Sequence, residues 1–163
     1  MLGAILHAKN QGFELVDVVL QNASGHGVDL LFKTPKGYTD AYGKTITNAV
    51  VEAKGGAISL GALSKDTQGM RQGGLDYVGR RLEQATNWAT LTPQARAAAA
   101  DAFAALGKDE LGSFAFLGGR DLFYQLNFTG PSSSAISAMK AVKIDWKFPS
   151  FLTQSSTPGS FKT

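Results

Sequence analysis

The sequence predicts a single α/β domain, in which a helix, three strands, a long helix and a further strand follow one another. Two observations lead to this fold class. Residues 28–32 and 49–53 are apolar runs on either side of a polar connection with glycine and proline, which is the pattern of a β-hairpin. Apolar side chains also recur at helical spacing before and after this hairpin. We assign residues 1–163 to one domain, with its core at about residues 4–128.

A broad apolar stripe at helical spacing predicts the first helix at residues 4–22. Gly12 interrupts this helix at a cost of about 1 kcal/mol relative to alanine, so the alternative is a helix that begins after Gly12. Residues 22–27 are then expected to form a turn, in which His26 precedes the first strand.

The charged side chains of the hairpin are expected to meet at one end of the sheet. Glu52 and Lys54 point to the same face of their strand because side chains alternate, and Ala53 is turned into the core. If the two strands pair, Asp29 lies beside them. Two carboxylates and an ammonium in this arrangement are suited to holding a divalent metal ion and activating water. The alternative is a surface hairpin with incidental charges.

Two elements are predicted directly after the hairpin. Residues 57–63 have the pattern of a third short strand. Residues 66–88 read as a long helix with Asp66 as the candidate N-cap. Three glycines weaken the first half of this helix, so the chain is expected to be irregular until about Leu75.

The next segment carries the clearest local signals. Residues 92–106 predict a helix, because Thr92 can cap it, Pro93 can occupy its first turn and alanine dominates the rest. Residues 113–117 and 121–128 are predicted to form a hairpin that supplies the remaining strands of the core.

The net charge of +3 has its main basic excess near the C-terminus. Residues 142–148 alternate strictly, which predicts an edge strand whose solvated lysine face discourages aggregation. A contact with a phosphate backbone or with bases is the alternative. Residues 155–163 are rich in serine, threonine and glycine and are expected to form a mobile tail.

Composition and missing motifs exclude several classes of protein. The chain has no cysteine, which excludes disulfides and cysteine-ligated zinc. Two histidines are too few for a histidine-metal nuclease, and the motifs of nucleotide-binding loops and serine hydrolases are missing. No apolar run approaches the ~20 residues that span a membrane. The first residues do not match a signal peptide, so export is expected to need a parent polypeptide or a carrier.

Three stretches, SGHGVDLLF, VVEAKGG and RQGGLDYVGRRL, carry a resemblance to a known superfamily. In this order they resemble the PD-(D/E)xK, or restriction-endonuclease-like, nucleases, and specifically the toxin domains at the C-termini of bacterial polymorphic toxins. The resemblance covers roughly the first half of the chain. It implies a restriction-endonuclease-like core of a helix, a three-strand mixed sheet, a helix and a further strand, with C-terminal helix and strand additions.

The resemblance also implies a metal site. The metal-binding aspartate of the family falls on Asp29 and its Glu-x-Lys motif on Glu52 and Lys54, while the proline of the family name is absent. Asp29, Glu52 and the backbone carbonyl of Ala53 would hold Mg²⁺ or Mn²⁺, hard ions that prefer oxygen ligands, and Zn²⁺ is less suitable. Lys54 would hold or deprotonate the attacking water, or stabilise the charge on the phosphate. Glu14, expected on the first helix, would complete the metal site, or is a surface carboxylate.

Four further residues are candidates for contacts with substrate or water. Gln72 lies where related toxins carry a glutamine at the opening of the second helix, and it would orient the attacking water or a phosphate oxygen. Helix capping is the alternative role for Gln72. His26, Arg71 and Lys33 are expected to contact the substrate, although a purely structural loop role is open for His26.

The function implied by the resemblance is a metal-dependent nuclease toxin that hydrolyses DNA in competition between bacteria. Such a domain would be secreted or translocated within a larger toxin or by a carrier, and it would act in the cytoplasm of the target cell without inserting into a membrane. Its expected partners are DNA and a cognate immunity protein. Two alternatives remain open: a toxin of the same fold that cleaves RNA, such as transfer RNA, and a non-catalytic nucleic-acid-binding domain.

Overall fold

A mixed six-stranded sheet and three helices make up the fold in the computed structural model, which describes residues 1–23, 27–55, 63–118, 123–132 and 140–143. The α/β class predicted from the sequence is therefore confirmed. The helices are α1 (Leu2–Asn10), α2 (Leu75–Ala85) and α3 (Pro93–Gly107). The strands are β1 (Glu14–Gln21), β2 (Gly27–Lys33), β3 (Asn48–Gly55), β4 (Leu111–Gly118), β5 (Phe123–Phe128) and β6 (Lys140–Lys143).

The strands lie in the sheet in their order along the chain, from β1 to β6. Neighbouring strands are antiparallel except for β3 and β4, which are parallel. A parallel pair needs a long crossover connection, and here α2 and α3 lie between the two strands in the chain. The predicted hairpins of β2 with β3 and of β4 with β5 are confirmed by their antiparallel registers.

Both faces of the central strands are covered by apolar packing. On one face, Leu31 and Val50 belong to a buried cluster with residues of α2 and α3, including Val78. On the other face, Leu30 and Val51 belong to a second cluster with residues of α1 and its flanking segment. A strand covered on both faces needs apolar residues at successive positions, which explains the apolar runs of β2 and β3, each interrupted by one carboxylate, Asp29 or Glu52.

The helix predicted at residues 92–106 is confirmed as α3. The Oγ1 atom of Thr92 accepts a hydrogen bond from the backbone N–H of Ala95 at 3.1 Å, and Pro93 occupies the first helical position. The alanines at positions 99 and 102 are fully buried, so small side chains bring this helix close to its neighbours. Local capping and composition therefore determine this element.

The single helix predicted at residues 4–22 is wrong. Helix α1 ends at Asn10, and Glu14 begins strand β1. Gly12 separates the two elements, and its φ of +84° is a left-handed conformation that ends a helix readily. The segment after Gly12 is rich in valine, which favours a strand.

The second helix is shorter than predicted. It begins at Leu75, where the glycine-rich first half of the predicted element was expected to give way to regular structure. Asp66 is not its N-cap. Instead, Oδ1 of Asp66 accepts hydrogen bonds from the backbone N–H groups of Gln68 and Met70, each at 2.9 Å, within a turn.

Some predicted elements lie outside the described residues. The third short strand falls almost wholly there, and its last residue, Leu63, is not in a strand. The basic edge strand is described only as β6, which pairs with β5 at one edge of the sheet, and the C-terminal tail is not described. In the described part of the chain, the helices are too short or too polar to cross a membrane.

Candidate functional site

The candidate site lies where the pairing of β2 and β3 ends. The last residue pair of this ladder is Leu30 with Val51, so Asp29 and Glu52 are the next positions on the two strands. Beyond that pair, the backbone N–H of Ala53 donates to Oδ2 of Asp29 at 2.9 Å. Since residues opposite each other in an antiparallel ladder share a face, the two carboxyl groups lie side by side at this end.

Glu52 occupies the interior of the site. Its side chain has 0 % exposure, and Asp29 is 9 % exposed. The amide nitrogen of Gln72 donates to Oε2 of Glu52 at 3.3 Å, and that of Gln21 donates to Oδ1 of Asp29 at 3.2 Å. The other carboxylate oxygen of Glu52, Oε1, is buried and has no donor among the described residues.

The charges of the site are poorly balanced. Burial, and then the neighbouring negative charge of Asp29, raise the pKa of Glu52 well above the ordinary value. When one of the two carboxyl groups is protonated, a hydrogen bond between them raises the pKa of Glu52 further, and the positive charges of Lys54 and Arg81 lower it. A carboxyl group in this environment favours its protonated form unless a further cation approaches it.

Gln72 is held rigidly in the irregular segment before α2. Its backbone N–H donates to the carbonyl of Ser64 at 2.9 Å, and its Oε1 accepts from the N–H of Ser64 at 3.0 Å. The next residue, Gly73, has a φ of +97°, and a Cβ atom there would lie 2.6 Å from the ring of Phe128. The glycines that weakened the helix prediction therefore build the bend that turns Gln72 towards Glu52.

An open cleft with a volume of about 490 Å³ gives access to the site. Three cationic side chains, Lys54, Lys65 and Arg81, line it together with two acidic ones. Lys54 is half-buried and shares a strand face with Glu52. The complete lining consists of Gln21, Asn22, Gly27, Asp29, Lys54, Ser64, Lys65, Asp66, Thr67, Gln72, Tyr77 and Arg81.

Tyr77 and Arg81 enter this cleft from α2. The Tyr77 hydroxyl donates to the carbonyl of Gly27 at 3.4 Å, and burial followed by the charge of Glu52 raises the pKa of Tyr77 above 10.0. The Arg81 guanidinium lies over the Tyr77 ring, 5.1 Å from its centroid. Neither residue was predicted as a site residue from the sequence, which favoured a solvated or salt-bridged charge on the helix for Arg81. Their spacing of four along a helix places the two residues on one face.

The structure brings together four of the predicted site residues: Asp29, Glu52, Lys54 and Gln72. Ala53 is beside them, and its side chain packs against the cluster on the other face of the sheet, as expected.

Other predicted site residues lie elsewhere. Glu14 is on β1 rather than on a helix and pairs with Lys33, four residues from Asp29 along β2, or about 13 Å. The structure therefore does not bring Glu14 or Lys33 to the carboxyl pair, and the Lys33 ammonium instead donates to Asn48 at 3.4 Å. Arg71 donates to the carbonyl of Leu63 at 3.4 Å and is not part of the cleft lining. His26 lies outside the described residues.

The donor set of the site fits a hard divalent cation. In the described ranges, no three histidine, aspartate or glutamate side chains form a metal-binding group, and the adjacent carboxylates there are the pair of Asp29 and Glu52. Mg²⁺ is commonly bound through one or two carboxylates and keeps several waters. Oε1 of Glu52, which is buried and receives no hydrogen bond from the described residues, would gain a partner from such an ion.

Comparisons with known proteins identify no relative of this chain. No protein-family model matches the chain, and no curated protein and no solved structure matches it. The chemistry of the site is therefore the basis for assigning a function: two adjacent carboxyl groups, a lysine on the same strand face as Glu52, and cationic side chains around an open cleft.

Proposed function

We propose that this domain is a metal-dependent nuclease that hydrolyses phosphodiester bonds of DNA. The observation that carries the proposal is the pair of Asp29 and Glu52, whose buried carboxyl groups lie side by side, with Lys54 on the same strand face as Glu52. Asp29 and Lys54 line an open cleft, and Glu52 is buried behind them. Two adjacent carboxyl groups away from water are costly unless a cation joins them. A site that favours a cation beside an accessible ammonium is suited to phosphate chemistry.

Asp29 and Glu52 would hold Mg²⁺ or Mn²⁺, and the backbone carbonyl of Ala53 is a third candidate ligand. The chemistry that such an ion supplies when bound is to draw charge from a phosphoryl oxygen and to lower the pKa of a coordinated water. The Ala53 N–H and the Gln21 amide each donate to Asp29, so its carboxylate has a defined orientation. The Gln72 amide does the same for Glu52.

Lys54 provides the positive charge closest in sequence to the carboxyl pair. Its ammonium lines the cleft and interacts electrostatically with Glu52. From this position it would hold the attacking water or stabilise the charge that develops on the phosphate. The neutral amide of Gln72 would add hydrogen bonds without adding negative charge.

The fold is compatible with this proposal. An antiparallel pair that carries the acidic residues, followed by a helical crossover to a parallel strand, is the arrangement of β2, β3 and β4. We propose that these elements form a restriction-endonuclease-like core and that the domain is a toxin used in competition between bacteria. The motif resemblance supports this part of the proposal. It also suggests delivery by a larger toxin or a carrier, action in the cytoplasm of the target cell and neutralisation by a cognate immunity protein.

The test incubates the purified chain with supercoiled plasmid DNA and, separately, with total RNA, in Mg²⁺ and in EDTA. We expect Mg²⁺-dependent cleavage of the plasmid and a loss of at least about 100-fold in rate for Lys54→Ala. Lys36→Ala is the control, because Lys36 is exposed and lies outside the cleft lining. Cleavage of RNA alone would reassign the substrate, and normal cleavage by Lys54→Ala or no cleavage of either nucleic acid would refute the proposal.

A further inference from the structure

No carboxylate of the described residues forms an ion pair with Arg81, which lines the cleft. One of its terminal nitrogens, Nη1, donates to Oε1 of Gln84 at 3.2 Å, and the guanidinium lies over the ring of Tyr77. Its Nε–H is buried and has no acceptor in the described part of the chain. The ion pair that the described residues form within 4 Å is Lys44 with Asp109, so Arg81 is not neutralised by direct contact with an acidic side chain there.

A guanidinium in this state has unused binding capacity. Arginine carries five N–H donors in a planar fork that matches the oxygens of a phosphate, and the aromatic face of Tyr77 limits its orientation. A fixed orientation lowers the entropy lost when an anion binds. Lys54 and Lys65 line the same cleft, so an anion next to Arg81 would also meet two ammonium groups.

We infer that Arg81 binds a phosphate group of the nucleic acid in the cleft, directly beside the Asp29–Glu52 carboxyl pair. This inference rests on the proposed nuclease function and adds a substrate contact on α2. It also gives different roles to two adjacent arginines, because Arg80 on the same helix is not part of the cleft lining.

A structural role is the competing explanation. The positive charge of Arg81 acts on Glu52, so Arg81 could serve only to offset a buried carboxylate. The two explanations differ when Glu52 is replaced with glutamine. In that background residue 52 carries no charge for Arg81 to offset, whereas a contact between Arg81 and a phosphate is retained.

The experiment measures binding of a labelled single-stranded oligonucleotide and of a labelled duplex by fluorescence anisotropy in EDTA. Arg81→Gln is compared with Arg80→Gln, each in the natural sequence and in the Glu52→Gln background. We expect Arg81→Gln to weaken binding about tenfold in both backgrounds. The slope of the logarithm of the binding constant against the logarithm of the salt concentration should become shallower by about the amount of one phosphate contact. Arg80→Gln should change the affinity less than about threefold, since it loses only long-range attraction.

Circular dichroism spectra and thermal unfolding establish that each variant is folded. Arg81→Lys keeps the charge without the planar fork and should recover only part of the affinity. The inference is overturned if Arg81→Gln binds as the natural protein does, if its defect disappears in the Glu52→Gln background, or if the natural protein binds neither oligonucleotide. Because binding in EDTA requires no cleavage, Arg81-dependent binding by a protein that does not cut DNA would uphold the phosphate contact and reject the nuclease.

Discussion

Replacing Glu52 with glutamine should make the metal-free protein more stable at neutral pH, although we expect the variant to be inactive. Glu52 is completely buried, and its Oε1 atom has no donor among the described residues. Burial and the charge of Asp29 raise the pKa of Glu52 well above 4.5. Folding without metal therefore leaves an uncompensated charge or requires uptake of a proton, and glutamine avoids both costs.

The size of this effect follows from the unsatisfied oxygen. Leaving a buried acceptor without a donor costs about 1–3 kcal/mol, and more for a charged group. The glutamine amide can donate to Asp29, whose carboxyl group is within hydrogen-bonding reach of residue 52. We expect Glu52→Gln to raise the free energy of unfolding by about 1–3 kcal/mol at about pH 7.5 in EDTA. For a chain of this length, each kcal/mol raises Tm by about 2–4 °C.

The pH dependence has a definite sign. The pKa of Glu52 is raised in the folded state, so the folded protein binds more protons than the unfolded chain at intermediate pH. Stability therefore falls as pH rises from the ordinary glutamate value through the raised value. The advantage of Glu52→Gln should be smallest below about pH 4 and should grow above it.

Urea denaturation in EDTA from about pH 4 to pH 8 measures these differences. Glu83→Gln is the control, since Glu83 is exposed on α2 and the change in formal charge is the same. It should stay within about 0.5 kcal/mol of the natural protein. Mg²⁺ at about 100 times its Kd should stabilise the natural protein by about 2.7 kcal/mol and leave Glu52→Gln almost unchanged. A Glu52→Gln variant less stable than the natural protein in EDTA at neutral pH, or a gain that is independent of pH, would refute the reasoning.

Two further predictions concern the backbone around the site and the packing helix, and urea denaturation checks both. Gly73→Ala should destabilise the protein by about 2 kcal/mol, because its φ is +97° and a Cβ atom would lie 2.6 Å from the Phe128 ring. Gly107 is at the end of α3, where a Cβ atom would have no described atom within 4 Å apart from its own helix backbone and chain neighbours. Gly107→Ala should therefore be neutral or slightly stabilising, and equal losses at the two glycines would contradict the geometry. Thr92→Ala should cost about 1 kcal/mol because it removes the hydrogen bond to the Ala95 N–H, whereas the exposed Thr90→Ala should cost less than about 0.5 kcal/mol. Similar values for the two threonines would show that the cap contributes little.

The parts of the structure that could be predicted from sequence have local signals. Helix α3 carries its cap, its first-turn proline and its alanines within one segment. The proximity of Asp29 and Glu52 follows from a hairpin whose two strands are each marked by an apolar run, since antiparallel pairing places one opposite the other. Short-range rules were sufficient for both features.

The segment at residues 13–21 was misassigned because two local preferences conflict there. Its apolar spacing also fits a helical stripe, whereas its valine content favours a strand. Pairing with β2 makes this segment a strand. As a result, Glu14 lies opposite Lys33, at the other end of β2 from Asp29. Tertiary contacts of this kind cannot be read from a window of the sequence.

Arg81 was not assigned to the cleft from the sequence for a different reason. Arg80 and Arg81 are the same residue type at adjacent positions, and they differ only in the face of α2 on which each lies. The buried side chain of Tyr77 shows which face of α2 is turned inward, and Arg81 lies on that face about one turn later. A helical projection anchored on Tyr77 would have distinguished the two arginines.

The crossover between β3 and β4 also influences when the cleft can exist during folding. Asp29 and Glu52 come from an early hairpin, whereas Gln72 lies in the connection to the parallel strand β4, where the Ser113 hydroxyl donates to the carbonyl of the adjacent Gly73 at 2.7 Å. Loop-closure entropy delays contacts of long sequence separation, so the two walls of the cleft meet late. A ribosome-bound chain that has not yet released β4 therefore lacks a finished cleft.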